Sequence, residues 1–351
     1  MHRKIFIAVL MMMGVMSYLS ACQSAAVTSA KVYLQQNNLE KAEEQLLIAL
    51  ENEPNNPEVP FLLGTEIYGK QGKFLEMNKM FTKSLEISEK FKPQIDKIRK
   101  KYWIDKHNEG ASYFNAARGK TADKRREYFQ KAAEAFEIAL EIKSDEPTSY
   151  SNLATTYLQL GDVERAKETM YRALELDPEN TSTLTNLGIV LAKERKYDEA
   201  VKYLEKVMDL DPENNQALTQ LALAYDAKGD SAKAEKTYLK AIEKNPGNET
   251  LYYNLGVLYL QRRDGENAVK NFKKALDIKP DDSDALMNIS LAYINLQDFE
   301  NAVKYLEKAS ELEPGNSEIW RYLAIGYLRI GNKEAADKAY KKAKELGWKR
   351  E

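Results

Sequence analysis

The stretch Ser283–Asn316, SDALMNISLAYINLQDFENAVKYLEKASELEPGN, decides the fold. It contains Tyr293, Ala302 and Pro314, and each stands 34 residues after a residue of its own kind. Working outward, prolines occur at 178, 212, 246, 280 and 314, and alanines at 166, 200, 234, 268, 302 and 336. Tyr157, Leu191, Tyr225, Tyr259, Tyr293 and Tyr327 keep the same step, with one leucine among the tyrosines. Self-similarity at a period of this length marks a repeat architecture. Six unbroken repeats follow: 147–180, 181–214, 215–248, 249–282, 283–316 and 317–350.

Each repeat reads as two antiparallel helices. Ala154, Gly188, Ala222, Gly256, Ser290 and Ala324 are small residues on the first helix, expected to meet the alanine series of the second. Larger side chains at the crossing would overpack it. The proline stops the second helix, and its fixed φ turns the chain into the next repeat.

These positions resemble the tetratricopeptide repeat. The resemblance implies an all-α, right-handed superhelical solenoid of antiparallel helix pairs. Two further repeats fit nearer the N-terminus: 23–56, with Tyr33, Ala42, Ala49 and Pro54, and about 58–91, with Phe61, Tyr68, Gly72, Met77, Phe81 and Leu85. A ninth, irregular repeat has Gly110 and Tyr113 on its first helix and Ala132, Phe136, Ala139 and Leu140 on its second. About ten extra residues near Arg118–Arg126 are expected to lengthen the turn between them. In the last repeat Lys333 and Asp337 stand where 283–316 has Phe299 and Val303, and Lys344 takes a place held earlier by Leu174, Met208, Ile242 and Leu276, as a polar terminal face requires, so the array is expected to end there. The organisation expected is residues 1–21 as a signal, 22–91 as anchor and two repeats, 92–146 as the irregular repeat with a basic insertion, and 147–351 as six regular repeats.

The first residues explain the lone cysteine. His2, Arg3 and Lys4 precede a largely apolar run from Ile5 to Leu19, the layout of a secretory signal. The run is short for a bilayer span, which needs roughly 20 apolar residues. Leu19-Ser20-Ala21-Cys22 resembles the lipobox of bacterial lipoproteins, and that resemblance implies cleavage before Cys22 and acylation of its thiol and new amino group. Two or three acyl chains give a lasting anchor. Gln23, by resemblance to the enterobacterial sorting rule, points to the outer membrane, facing the periplasm. The alternative is an uncleaved N-terminal anchor on the same repeat module. With Cys22 acylated no thiol remains for a disulfide, so packing alone must stabilise the fold.

Charge and motifs exclude several classes. Loss of Arg3 and Lys4 takes the net charge from −2 to −4, which gives no general attraction for nucleic acid. Without the signal His107 is the one histidine, and no G-x-S-x-G, phosphate-binding loop, H-E-x-x-H or paired C-x-x-C occurs. No catalytic residue, metal ligand or cofactor is expected. Residues 90–126 carry twelve lysines and arginines against four acids, a net +8 that suits an anionic surface or an acidic partner. A solvated helix face explains the same charges.

Recognition is expected on the first helices. Asn152, Asn186, Asn254 and Asn288 recur at the sixth place of their repeats, with Gln220 and Tyr322 at the other two. This resembles the asparagine ladder in the repeats of O-linked N-acetylglucosamine transferases, where amides hold a peptide backbone. An amide both donates and accepts, so it can read any main chain. Three places on stand Ile189, Leu223, Val257, Leu291 and Ile325, with Thr155 in the first of the six. Chaperone-binding repeats that clamp a C-terminal carboxylate use Asn and basic residues there, so a carboxylate clamp is not expected. The apolar series either lines a groove or packs against a neighbouring helix. The sequence therefore reads as a lipid-anchored envelope scaffold that holds a protein or peptide client, in the manner of the repeat lipoproteins that serve as assembly factors.

Overall fold

The computed structural model describes residues 25–349. The described residues form helices and turns, with no strand among them. Contacts divide the chain into Met1–Pro178 and Glu179–Glu351.

The first part opens with α1 (residues 25–35) and α2 (Leu39–Asn52). α3 (Glu58–Leu62) runs into a π-helical turn, Leu63–Tyr68, and is followed by α4 (Phe74–Ile87). A 3-10 turn, Glu89–Phe91, leads into α5 (Lys92–Ala116), then α6 (Ala122–Ile142), α7 (Pro147–Leu160) and α8 (Val163–Leu176). The second part repeats one pattern five times: α9 (Thr181–Lys193), α10 (Tyr197–Leu210), α11 (Asn215–Lys228), α12 (Ser231–Lys244), α13 (Glu249–Gln261), α14 (Gly265–Ile278), α15 (Ser283–Asn295), α16 (Phe299–Leu312), α17 (Ser317–Arg329) and α18 (Lys333–Glu345).

The repeat spacing has a backbone cause. The fifteenth residue of each regular repeat is left-handed: Gly161, Gly229 and Gly331, but also Arg195, Arg263 and Gln297, at φ 62, 61 and 62°. That residue ends the first helix, and the next N–H reaches back five residues, as in Asp230 N to Tyr225 O and Asp264 N to Tyr259 O, both 2.9 Å. Asp230, Asp264 and Asp298 then cap the second helix, each accepting from the amide three residues on. The second helices α8, α10, α12, α14 and α16 each stop two residues before their proline.

Ala166, Ala200, Ala234, Ala268 and Ala302 are fully buried. The small residues of the first helix, however, make room for a different side chain than the sequence suggests. A Cβ on Gly188 would lie 2.7 Å from Leu204 Cγ, and one on Gly256 would lie 2.8 Å from Phe272 Cε1. The crossing is closest to the large residue four places after the alanine. In the 58–91 repeat the π turn adds one residue, marked by Gly69 N to Gly64 O at 2.9 Å, and sets Gly64 against Phe81.

The irregular repeat differs from expectation. Its extra residues do not lengthen the turn, which spans only residues 117–121; they extend the helices to 25 residues in α5 and 21 in α6. The run Ala122–Glu127, ADKRRE, consists mostly of good helix formers, so α6 begins early.

Candidate functional site

The sequence-expected amides and apolar residues lie on first helices, and each part of the chain holds its own group. In the first part Asn152 and Thr155 on α7 meet Ala111, Phe114 and Asn115 on α5 over Phe136 of α6, around a cleft of about 250 Å³. Asn152 is not isolated. Its Nδ2 lies 3.4 Å from His107 Nε2, while His107 Nδ1 and Trp103 Nε1 lie 2.8 and 2.9 Å from Ser149 Oγ. The neutral Nδ1–H tautomer satisfies both ring contacts, donating to Ser149 and accepting from Asn152. Burial holds the His107 pKa below its ordinary value, with Glu146 opposing. Ser149 is fully buried and already accepts from Trp103, so the Ser–His contact fixes a groove wall and presents no nucleophile.

In the second part α9, α11, α13 and α15 touch in succession, each against the next. Asn186, Gln220, Asn254 and Asn288 are half-buried along them, as are Ile189, Leu223, Val257 and Leu291; on α17 Tyr322 is half-buried and Ile325 exposed. Asn288 has a structural tie: its Nδ2 donates to Tyr253 Oη and Asp284 O, both 3.0 Å. The apolar series is neither fully buried nor fully exposed, so it both packs and presents surface.

Two features escaped the sequence reading. Gly110 and Tyr113 set the frame of the irregular repeat, and that frame puts Asn108, which is exposed, at its sixth place beside His107. The second is the partner of the tyrosine series. Tyr157, Tyr225 and Tyr327 donate to Glu137, Glu205 and Glu307, each 20 residues earlier on the preceding second helix. Where Leu239 takes that place, Tyr259 donates instead to Glu235, at 2.7 Å, and Arg262 joins the same carboxylate. Burial, then the carboxylate, pushes the Tyr259 hydroxyl up to about 12.

The basic segment separates along α5. At 1.5 Å per residue, Lys97, Lys100 and Lys101 stand roughly 25 Å from the tip that carries Arg118, Lys120, Lys124, Arg125 and Arg126. All eight are exposed. Others are engaged: Arg99 donates to Asn78 Oδ1 at 2.7 Å, Lys92 pairs with Glu89 and Lys106 with Glu109. The net +8 is therefore spread over two clusters. Cys22 and the apolar run before it lie outside the described residues. Among the described residues no helix is long and apolar enough to cross a membrane, and no acid, histidine or cysteine cluster could hold a metal ion.

A family model described as the cilia and flagella-associated protein 70 middle TPR-like domain matches residues 126–244 and, overlapping them, 218–347. No curated protein matches the chain. Among solved structures, MamA MSR-1 C2 is 28% identical with a TM-score of 0.43, over 47% of this chain and 95% of its own. MamA 41-end from Desulfovibrio magneticus RS-1 is 20% identical, TM-score 0.45, over 47% and 94%. YrrB, described as a TPR protein with an unusual peptide-binding site, is 25% identical, TM-score 0.47, over 52% and 94%.

Proposed function

This chain belongs to the TPR-like family whose model matches residues 126–347, and on that premise we propose that it is a lipid-anchored scaffold of a bacterial envelope that holds an extended segment of a protein client. As a repeat module of this kind it is a protein–protein interaction module. One observation carries the finer reading: half-buried amides and half-buried apolar side chains run in parallel along successive first helices. An extended client would satisfy its backbone on the amides and seat alternate side chains on the apolar series. Anchoring rests on LSAC after the apolar run, and the assembly-factor role on the resemblance to repeat lipoproteins. The α5–α6 tip supports a contact with an anionic surface.

The test is the triple change Asn186, Asn254 and Asn288 to alanine in the full chain. One hydrogen bond is worth about 0.5–1.5 kcal/mol, so three independent losses weaken client capture about tenfold or more. Asn288 also ties α15 to Tyr253, so circular dichroism must show the variant folded. A folded variant that captures the same partners with wild-type affinity overturns the groove. For the anchor, Cys22→Ser should leave the precursor uncut and unlabelled by palmitate; continued cleavage and labelling overturns it.

A further inference from the structure

We propose that the chain stacks head to tail with a second copy of itself, the first repeat of one copy on the last repeat of the other. Stacking residues are left over at both ends of the described array. The tenth residue of a repeat faces the second helix of the repeat before it: a Cβ on Gly326 would lie 2.6 Å from Val303 Cγ2. Ala224, Leu258 and Ala292 hold that place and are buried, yet Val32 of the first repeat is 45% exposed. At the other end Leu328 is 60% and Ile325 37% exposed. Tyr340 is half-exposed, although its counterparts Leu204, Tyr238, Phe272 and Leu306 are fully buried. Ile325, Leu328, Tyr340 and Trp348 line a groove of about 330 Å³.

The polar groups at the two ends also match pairs found between repeats. Lys273 Nζ lies 5.6 Å from the Tyr293 ring, and Lys341 and Tyr33 hold the same two places at the ends. Glu235 accepts from Tyr259 and Arg262; Asp337, Tyr33 and Gln36 stand in those three places. Glu205 and Lys236, on neighbouring second helices, line one cleft, and Lys341 and Glu44 occupy the corresponding places with the signs exchanged.

Net charge completes the match. Residues 25–56 hold two basic and five acidic side chains, a net −3, and residues 317–349 hold eight basic and four acidic, a net +4. The five other regular repeats lie between −4 and +1, so the basic last repeat is the outlier. Opposite charge selects this pairing and sets its register. A client segment in the terminal groove is the competing occupant.

Density-matched sedimentation equilibrium of the full chain in detergent tests the proposal. The mass should rise with concentration beyond one copy, and high salt should weaken the association. Lys341→Glu with Lys342→Glu, or separately Glu40→Lys with Glu44→Lys, should each weaken self-association about tenfold. An equimolar mixture of the two reversed proteins should recover it, because each then offers the other a complementary end; recovery also shows that both fold. A single-copy mass at every concentration overturns the proposal. So does association indifferent to both reversals, or loss of client capture on reversal at 341 and 342 with the mass unchanged.

Discussion

Gly256→Ala adds one methyl group, and the structure says where it goes. Its carbon would lie 2.8, 2.9 and 3.0 Å from Cε1, Cδ1 and Cζ of Phe272. Carbon atoms attract best at roughly 3.5–4.0 Å, so all three contacts are repulsive. Phe272 is fully buried, and Tyr253 stands edge-on to it at 5.9 Å, so the ring cannot retreat without displacing a second aromatic. Overpacking of this kind costs about 1–3 kcal/mol. Alanine in a helix interior returns about 0.5–1 kcal/mol relative to glycine. The expected net loss is therefore about 1 kcal/mol. Gly315 supplies the control, since nothing lies within 4 Å of a Cβ built there and its φ is not positive. Gly315→Ala should hold stability or raise it by about 0.4–1 kcal/mol. Urea unfolding followed by circular dichroism reads both. Phe272→Leu added to Gly256→Ala should recover part of the loss, because Ser290 and Leu306 hold the equivalent places and are both fully buried. A Gly256→Ala protein as stable as the parent, or one that Phe272→Leu does not relieve, refutes the close-crossing argument.

Two other predictions follow from backbone and charge. Arg263 stands at φ 61°, where a side chain costs about 1–2 kcal/mol that glycine avoids, so Arg263→Gly should gain about 0.5–1 kcal/mol after glycine's extra unfolded entropy, and a lower melting temperature contradicts this. His107 has a folded pKa below its unfolded value, so its stability contribution is complete above about pH 6.5 and is lost as pH falls from there through the folded pKa; His107→Gln should flatten melting temperature against pH just below about 6.5, and unchanged slopes refute the assignment.

The helix pairs were legible because proline, alanine and tyrosine recur at one spacing, and each acts on the backbone or at a close crossing. The irregular repeat was harder to read because its landmarks fix only the middle of each helix: Gly110 and Phe136 say where α5 and α6 cross, not where they begin. Tyr68 gave a frame one residue away from Gly64, since no residue type announces the π turn. Asn108 was available from the frame of Gly110 and Tyr113. The glutamates at 137, 205 and 307 also kept the spacing, but surface glutamates are common enough in helices that the hydrogen bond gave them meaning. In the groove the sequence indicated which residues share a face; it did not show that His107 engages Asn152 or that Tyr253 engages Asn288.

The tyrosine bridges make the joints of this array keyed. Tyr225 and Tyr327 each find a glutamate 20 residues back, but Tyr259 bonds to Glu235 and shares it with Arg262, since Leu239 stands where the others have a glutamate. Repeats 215–248 and 249–282 are thus matched to each other, although the six regular repeats all have the same length. Excising 215–248 would bring Tyr259 to Glu205, a seat already suited to a tyrosine, and leave Arg262 without its carboxylate. Excising 249–282 would bring Tyr293 to Glu235 with Leu296 in the place of Arg262. Cassettes of equal length are therefore not equivalent parts, and the side chains at each joint govern where this chain can gain or lose one.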